Sequence, residues 1–294
     1  MNLTSTATGS SSAGPSPFQA DMAGVSHVDG PSGRFGYRRL GTAGGVPLVL
    51  VTRFRGTIDH WDPALLEVLA RERDVILVDY PGVSTSDGST PATVRGLGDS
   101  IAEFIGALGL ERADLLGWSL GGYVVQDIAL NHPGLVRRLV VAASGPGAVP
   151  GTPAPPARLW EAARRPVNDD DDFLYMFFPD TPEGREVGLQ SLRRLDARLA
   201  ASHADTPPSS VAAQAAALTG WGRGEDTSWE RLAELSMPVL IGAGARDHMM
   251  HPFGAYSMAE RLPDAKIIIY TDSGHGFLFQ HAEDFGDEVL GFLR

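Results

Sequence analysis

Seven short strand-like runs, separated by helical stretches, constrain this chain more than any other feature. They are FGYRRL (35–40), PLVLV (47–51), DVILVD (74–79), ADLLGW (113–118), RRLVVAA (137–143), MPVLIGAG (237–244) and AKIIIYT (265–271). Four of them are continuous aliphatic runs, the pattern of strands buried on both faces. Between the runs lie DPALLEVLARE (62–72), VRGLGDSIAEFIGALG (94–109), GGYVVQDIALNHP (121–133) and PFGAYSMAERLP (252–263), which read as helices, and AEDFGDEVLGFL (282–293) closes the chain. Strands alternating with helices in this way predict an α/β fold, with a mostly parallel central sheet flanked by helices on both faces.

The alternation stops between RRLVVAA and MPVLIGAG. From Gly147 to Leu235 the chain opens with GPGAVPGTPAPP, continues through the acidic NDDDD (168–172) and then shows helical patterns around SLRRLDARLA and SSVAAQAAALTGWG. Nearly ninety residues without a strand signal are too many for a loop in a compact domain. A helical insertion over 147–235 is therefore expected within a core formed by 23–146 and 236–294. Residues 1–22, rich in Ser, Thr, Ala, Gly and Pro, predict a disordered arm. That arm has neither a basic n-region nor an apolar h-region, and no apolar run reaches the ~18 to 20 residues that span a bilayer. A soluble protein that is not exported by a cleaved signal is expected.

Charge and composition narrow the function classes. A net charge of −12 with scattered arginines disfavours nucleic acid and anionic membranes as partners. The chain has no cysteine, which removes disulfides, thiolate nucleophiles and thiolate metal sites together, and is compatible with the cytoplasmic location expected here. His-Glu-x-x-His spacing is missing, and the DDDD run lacks the spaced carboxylates and glycine turn of a calcium loop, so neither metal nor cofactor is expected. The acidic run reads as a solvated edge of the insertion.

Chemistry enters at Gly117-Trp118-Ser119-Leu120-Gly121. In a chain with 35 glycines a bare Gly-x-Ser-x-Gly says little. Here, however, it directly follows the strand ADLLGW and opens the helix GGYVVQDIAL. A sharp strand-to-helix turn strains the serine, brings the two elements so close that flanking side chains would clash, and lifts the hydroxyl above the carboxyl end of the sheet. The helix N-terminus then places free N–H groups beneath developing negative charge. The alternative is a small residue in a tight turn.

A serine nucleophile needs a base and a group to orient that base. Of eight histidines, His275 in IIIYTDSGHGFLFQ is carried by a short loop to the same sheet edge as Ser119. Asp247, in LIGAGARDHMMHP, lies just past the strand before it, giving the chain order serine, acid, histidine; a helix cap is its plainer reading. His60, His248 and His251 are possible site-lining residues, whereas His27, His132, His203 and His281 have structural readings. Asp272 reads as a turn cap and Asp79 as an orienting structural residue. Trp118 either lines the acyl pocket or packs beneath the insertion, and LYMFFPD (174–180) reads as an aromatic stripe that packs a helix onto the core.

These residues resemble the α/β-hydrolase superfamily from about residue 24 to the end, through GWSLGG, DYPGVSTSD, GARDHMMHP and SGHGF in that order. Within it the chain is most similar to the esterase and cofactor-free haloperoxidase (perhydrolase) branch with a helical cap, and LVLVTRFRGTIDHWDPAL resembles its oxyanion-loop region. The resemblance implies an α/β-hydrolase fold in which Ser119 attacks, His275 shuttles the proton and Asp247 orients it. It further implies an oxyanion hole from the Phe54 and Leu120 N–H groups and a cap over 147–235. Relatives usually carry His-Gly where this chain has Thr52-Arg53. That departure bears on catalytic efficiency, or lets Arg53 or Arg55 reach the site and select a carboxylate or phenolate.

The expected function is that of a serine hydrolase acting on a small ester, lactone or related acyl compound. The same three residues also suit perhydrolysis, carbon–carbon cleavage or a biosynthetic cyclisation, and the fold suits a ligand receptor. Serine at position 119 disfavours the alkyl-enzyme chemistry of dehalogenases and epoxide hydrolases, which requires a carboxylate there.

Overall fold

A computed structural model describes residues 18–294 apart from 43, 166, 203 and 204. Eight strands form one sheet: β1 (Val25–Gly30), β2 (Gly33–Gly41), β3 (Leu48–Val51), β4 (Asp74–Val78), β5 (Ala113–Trp118), β6 (Val136–Ala142), β7 (Val239–Gly244) and β8 (Ala265–Tyr270). Their order is β1-β2-β4-β3-β5-β6-β7-β8. β1 and β2 run antiparallel to their neighbours, and from β4 onward every pairing is parallel. The sheet is the mostly parallel one that the alternation predicts. β1 is a further strand outside the seven runs; it lies at an edge and is largely exposed, so no apolar run betrays it.

The continuous aliphatic runs follow from burial on both faces. In β3, Leu48 and Leu50 join one apolar cluster and Val49 and Val51 the other, because successive side chains leave opposite faces of a strand. Helices α2 (Val94–Ala107), α3 (Leu120–Asn131) and α8 (Pro252–Arg261) cover the valine face. Helices α1 (Pro63–Ala70), α9 (Phe277–Gln280) and α10 (Ala282–Phe292) cover the leucine face. Each such buried side chain contributes roughly 1.5 to 3 kcal/mol relative to exposure, so the sheet's placement is fixed by both clusters together.

Between β6 and β7 lie α4 (Ala157–Ala163), α5 (Asp170–Phe177), α6 (Pro182–Ala200) and α7 (Pro208–Gly222), with no sheet strand among the described residues. α6 is fastened to the segment between β3 and α1 by two carboxylates. Asp62 accepts from Arg194 at 2.7 and 2.8 Å and from Ser191 at 2.7 Å, and Asp59 accepts from Arg198 at 2.6 Å. The arginines are four residues apart and therefore project from one face of the helix.

Two expectations need correction. Of the expected arm at 1–22, residues 1–17 lie outside those described, but Gln19–Met22 forms a 3-10 turn whose Ala20 is buried in the leucine-face core. The acidic run is not uniformly solvated. Asp169 caps α5, and Asp172 is buried against Arg165 and Asn168, at 2.8 and 3.0 Å. Among the described residues no helix is long and apolar enough to cross a membrane.

Candidate active site

Ser119 follows β5 and stands immediately before α3, with φ 59° and ψ −118°. That conformation is sparsely populated for a residue with a side chain and costs about 1 to 3 kcal/mol, which the surroundings must hold in place. Its N–H donates to the Ala142 carbonyl at 3.0 Å, and its own carbonyl accepts from Gly122 N–H at 2.9 Å and Ser144 Oγ at 2.8 Å. The flanking glycines are steric necessities: a Cβ on Gly121 would lie 1.9 Å from the Val51 carbonyl oxygen, and one on Gly117 would lie 2.2 Å from that of Gly121. Ser119 is 7% exposed.

His275 follows β8 and Asp247 follows β7, and the fold brings them into contact. Asp247 Oδ2 lies 2.7 Å from His275 Nδ1, with both side chains buried. The other carboxylate oxygen, Oδ1, accepts from the Met249 and Met250 N–H groups at 2.7 and 2.8 Å. A carboxylate so supplied is an acceptor, so Nδ1 carries the hydrogen of this bond, and in the neutral ring Nε2 holds a lone pair. Nε2 is buried without a hydrogen-bond partner among the described residues, so no bond to the Ser119 hydroxyl is formed.

The imidazole is held by aromatic neighbours. Its ring lies 6.0 Å from that of Trp118 and 5.5 Å from that of Phe177, and Trp118 Nε1 donates to the His275 carbonyl at 3.2 Å. Trp118 is fully buried among Trp61, Phe177 and Phe279. It supports the histidine loop from within the core and presents no free face for a substrate. Phe177 belongs to α5, so the aromatic stripe of the inserted helices packs directly against the histidine.

The turn after β3 carries the departure noted at Thr52-Arg53. Arg55 adopts φ 56°, and Gly56 N–H closes the turn onto the Arg53 carbonyl at 3.0 Å. α7 grips this turn, with Gln214 Oε1 accepting from Arg55 N–H at 2.8 Å. The Arg53 side chain turns inward, only 2% exposed, between the rings of Trp118 and Phe177 at 5.5 and 5.2 Å. It donates to the Phe54 carbonyl at 2.9 Å, while its Nε has no partner among the described residues. Burial, then Arg55, push the guanidinium down to about 9. Arg55 itself points outward and donates to the Arg165 carbonyl at 3.0 Å. Leu120 is the first residue of α3, where an N–H has no acceptor within the helix.

Five of the other histidine side chains have partners of their own, and two of these, His248 and His251, also line the cavity beside Asp247. His60 accepts from Thr57 N–H at 3.0 Å in a capping box, and burial and Arg53 hold it well below the usual imidazole range. His251 caps α8, His248 stacks on Tyr175, His132 bonds Asp99 and His281 bonds Asp272. His203 lies outside the described residues. Asp79 accepts from Ile58 N–H at 2.8 Å, and burial pushes its carboxyl well up. Among the described residues no group of three His, Asp or Glu side chains is placed to hold a metal ion. A cavity of about 230 Å³ lies beside Asp247, walled by Tyr123, Met250, His251 and the Pro153–Pro156 loop.

The fold that carries the strained serine at the end of one strand and the aspartate–histidine pair beyond β7 and β8 is one that known proteins share. The family described as the alpha/beta hydrolase fold matches residues 46–282, and the chain belongs to that family. Among its relatives, the pimeloyl-(acyl-carrier protein) methyl ester esterase of Aromatoleum aromaticum is 34% identical over 208 residues, 67% of this chain and 80% of that protein. The 2-hydroxy-6-oxononadienedioate/2-hydroxy-6-oxononatrienedioate hydrolase 2 of Pseudomonas putida is 30% identical over 235 residues, 77% of this chain and 79% of that protein. An alpha/beta hydrolase fold protein from Chitinophaga pinensis superposes with a TM-score of 0.85 at 31% identity, covering 93% of this chain and 98% of the other. The Aromatoleum aromaticum and Pseudomonas putida relatives are, by name, an esterase and a hydrolase.

Proposed function

We propose that the protein is a serine hydrolase that cleaves a small ester, lactone or related acyl compound through an acyl-enzyme on Ser119. The observation that carries this reading is the buried Asp247–His275 bond at 2.7 Å, which leaves Nε2 as an unpartnered base in a ring packed against Trp118, the residue before the strained serine. Ser119 Oγ gives its proton to Nε2 as it attacks the acyl carbonyl. The N–H groups of Leu120 and Phe54 receive the oxyanion, and the imidazolium protonates the leaving group. Water then gives a proton to His275, attacks the acyl-enzyme and regenerates Ser119. Loss of one oxyanion donor costs ~2.7 to 4 kcal/mol of barrier, so the turn at 53–56 and its anchor on α7 matter to rate. The helices α4–α7 serve as the cap that bounds the acyl pocket.

Replacement of Ser119 by alanine should lower turnover of a chromogenic short-chain ester by at least about a thousandfold and abolish labelling by a fluorophosphonate. Undiminished turnover in that variant would remove the acyl-enzyme from consideration. A second reading applies the same groups to a carbon–carbon bond, and its support is the Pseudomonas putida relative, whose name is that of a hydrolase of oxo-dienedioates. Product analysis with a vinylogous β-diketone and with an ester of equal length separates the two.

A further inference from the structure

We infer that Arg53 is the receptor for a carboxylate carried by the acyl part of the substrate. The inference deepens the serine-hydrolase reading and rests on it for the position of the scissile bond. The supporting anomaly is a buried charge without a counter-ion. Buried guanidinium groups are ordinarily paired, because removal of the ion from water costs several kcal/mol. Arg38, equally buried, obeys this rule through Asp59 at 3.2 Å and two backbone carbonyls. Arg53 has no ion pair among the described residues; the charge that acts on it is Arg55, of like sign.

Its neighbours are those of the candidate base. The guanidinium shares both of its aromatic walls, Trp118 and Phe177, with the His275 imidazole. One donor, Nη1, is spent on the neighbouring Phe54 carbonyl, and the Nε edge is left. A planar edge with parallel N–H groups matches the two oxygens of a carboxylate and binds them side by side, whereas a phenolate offers a single oxygen. A phosphate would bring a second negative charge with nothing to balance it, since Arg55 is engaged at the Arg165 carbonyl. The two ring faces and one carbonyl offset only part of the charge's desolvation, because a cation–π contact supplies less than the penalty for burying the ion. Because Arg53 is covered, the anion reaches it as the wall at Phe177 or the arginine side chain gives way.

The test compares 4-nitrophenyl hexanoate with 4-nitrophenyl hydrogen adipate, which have the same chain length and differ in a terminal carboxylate. In the wild type, kcat/KM for the adipate should exceed that for the hexanoate by about tenfold or more, the factor that a charge-assisted hydrogen-bond pair supplies. In Arg53→Gln the ratio should fall to near one, and Arg53→Lys, which keeps the charge without the fork, should lie between. Equal rates in the wild type, or the same ratio in Arg53→Gln, overturn the inference. Should Arg53→Gln fail to fold, calorimetric binding of monomethyl adipate and methyl hexanoate to Ser119→Ala decides it: about tenfold tighter binding of the adipate supports the receptor, and equal binding overturns it. Retained hydrolysis in Ser119→Ala with retained adipate preference would count against the acyl-enzyme and leave the receptor standing.

Discussion

Asp247 divides its two oxygens between tasks: Oδ2 meets His275 Nδ1 at 2.7 Å, and Oδ1 caps the Met249 and Met250 amides. Asparagine can keep its Oδ1 on the amides, which places an NH₂ group opposite Nδ1. The ring must then accept at Nδ1 and carry its proton on Nε2, where it is no longer a base. Asp247→Asn is expected to fold with a melting temperature close to that of the wild type and to lose ester turnover by about 10⁴-fold, the cost of a reversed tautomer in a serine triad. Near-normal kcat in a folded Asp247→Asn protein would show that this pair does not serve catalysis.

The closest approach between chain segments in the site is at Gly121, where an added Cβ would stand 1.9 Å from a backbone oxygen of β3. Backbone cannot yield as a flexible side chain does. Gly121→Ala should therefore cost about 3 kcal/mol or more, the upper end of overpacking effects, seen as a lower urea midpoint or as loss of soluble protein. Gly106→Ala, whose Cβ would meet nothing within 4 Å, is the control that should fold normally.

Much of this arrangement is legible in the residues because the strands are buried on both faces. Leu48–Val51 and Val75–Val78 read as continuous aliphatic runs since both faces of each strand are covered by the apolar core. The same signal misleads about position: Ile267–Ile269 is three isoleucines in a row, yet β8 is an edge strand with Ile269 exposed. Ser119, Asp247 and His275 could be picked out because each lies just beyond the end of a strand. What the sequence could not reveal arises from packing between distant segments. The enclosure of Arg53 by Trp118 and Phe177, the burial of Asp172 behind Arg165, and the full enclosure of Trp118 each depend on where the inserted helices settle. No local periodicity encodes that placement.

The grip of α6 on the core predicts a stability effect far from the serine. Asp62 is buried and receives Ser191, Arg194 and the first-turn amide of Ala64, so it joins the inserted helices to α1. Asp62→Ala would strand the Arg194 guanidinium and remove a helix cap at once. A loss of about 3 to 5 kcal/mol is expected, as for other broken buried ion pairs. A double-mutant cycle with Arg194→Ala should show strong coupling, and simple additivity of the two changes would deny the latch.

Asp127, on α3, supplies a pH test of the core. Burial raises its carboxyl to about 6 against the opposing pull of Arg95, and its Oδ2 has no partner among the described residues. The unfolded chain releases this proton near 3.9, so the folded state binds the proton more tightly. The stability that this preference contributes is complete below about pH 4 and is lost as pH rises through about 6. Asp127→Asn removes the titration, and the asparagine keeps an oxygen for Asn131, which bonds Oδ1 at 3.0 Å. The melting temperature of Asp127→Asn minus that of the wild type should therefore rise between pH 4 and pH 7.5, whatever its value at pH 4. A difference that stays flat across that range would mean that Asp127 titrates alike in the folded and unfolded chains, and that Arg95 fully offsets the burial of its charge.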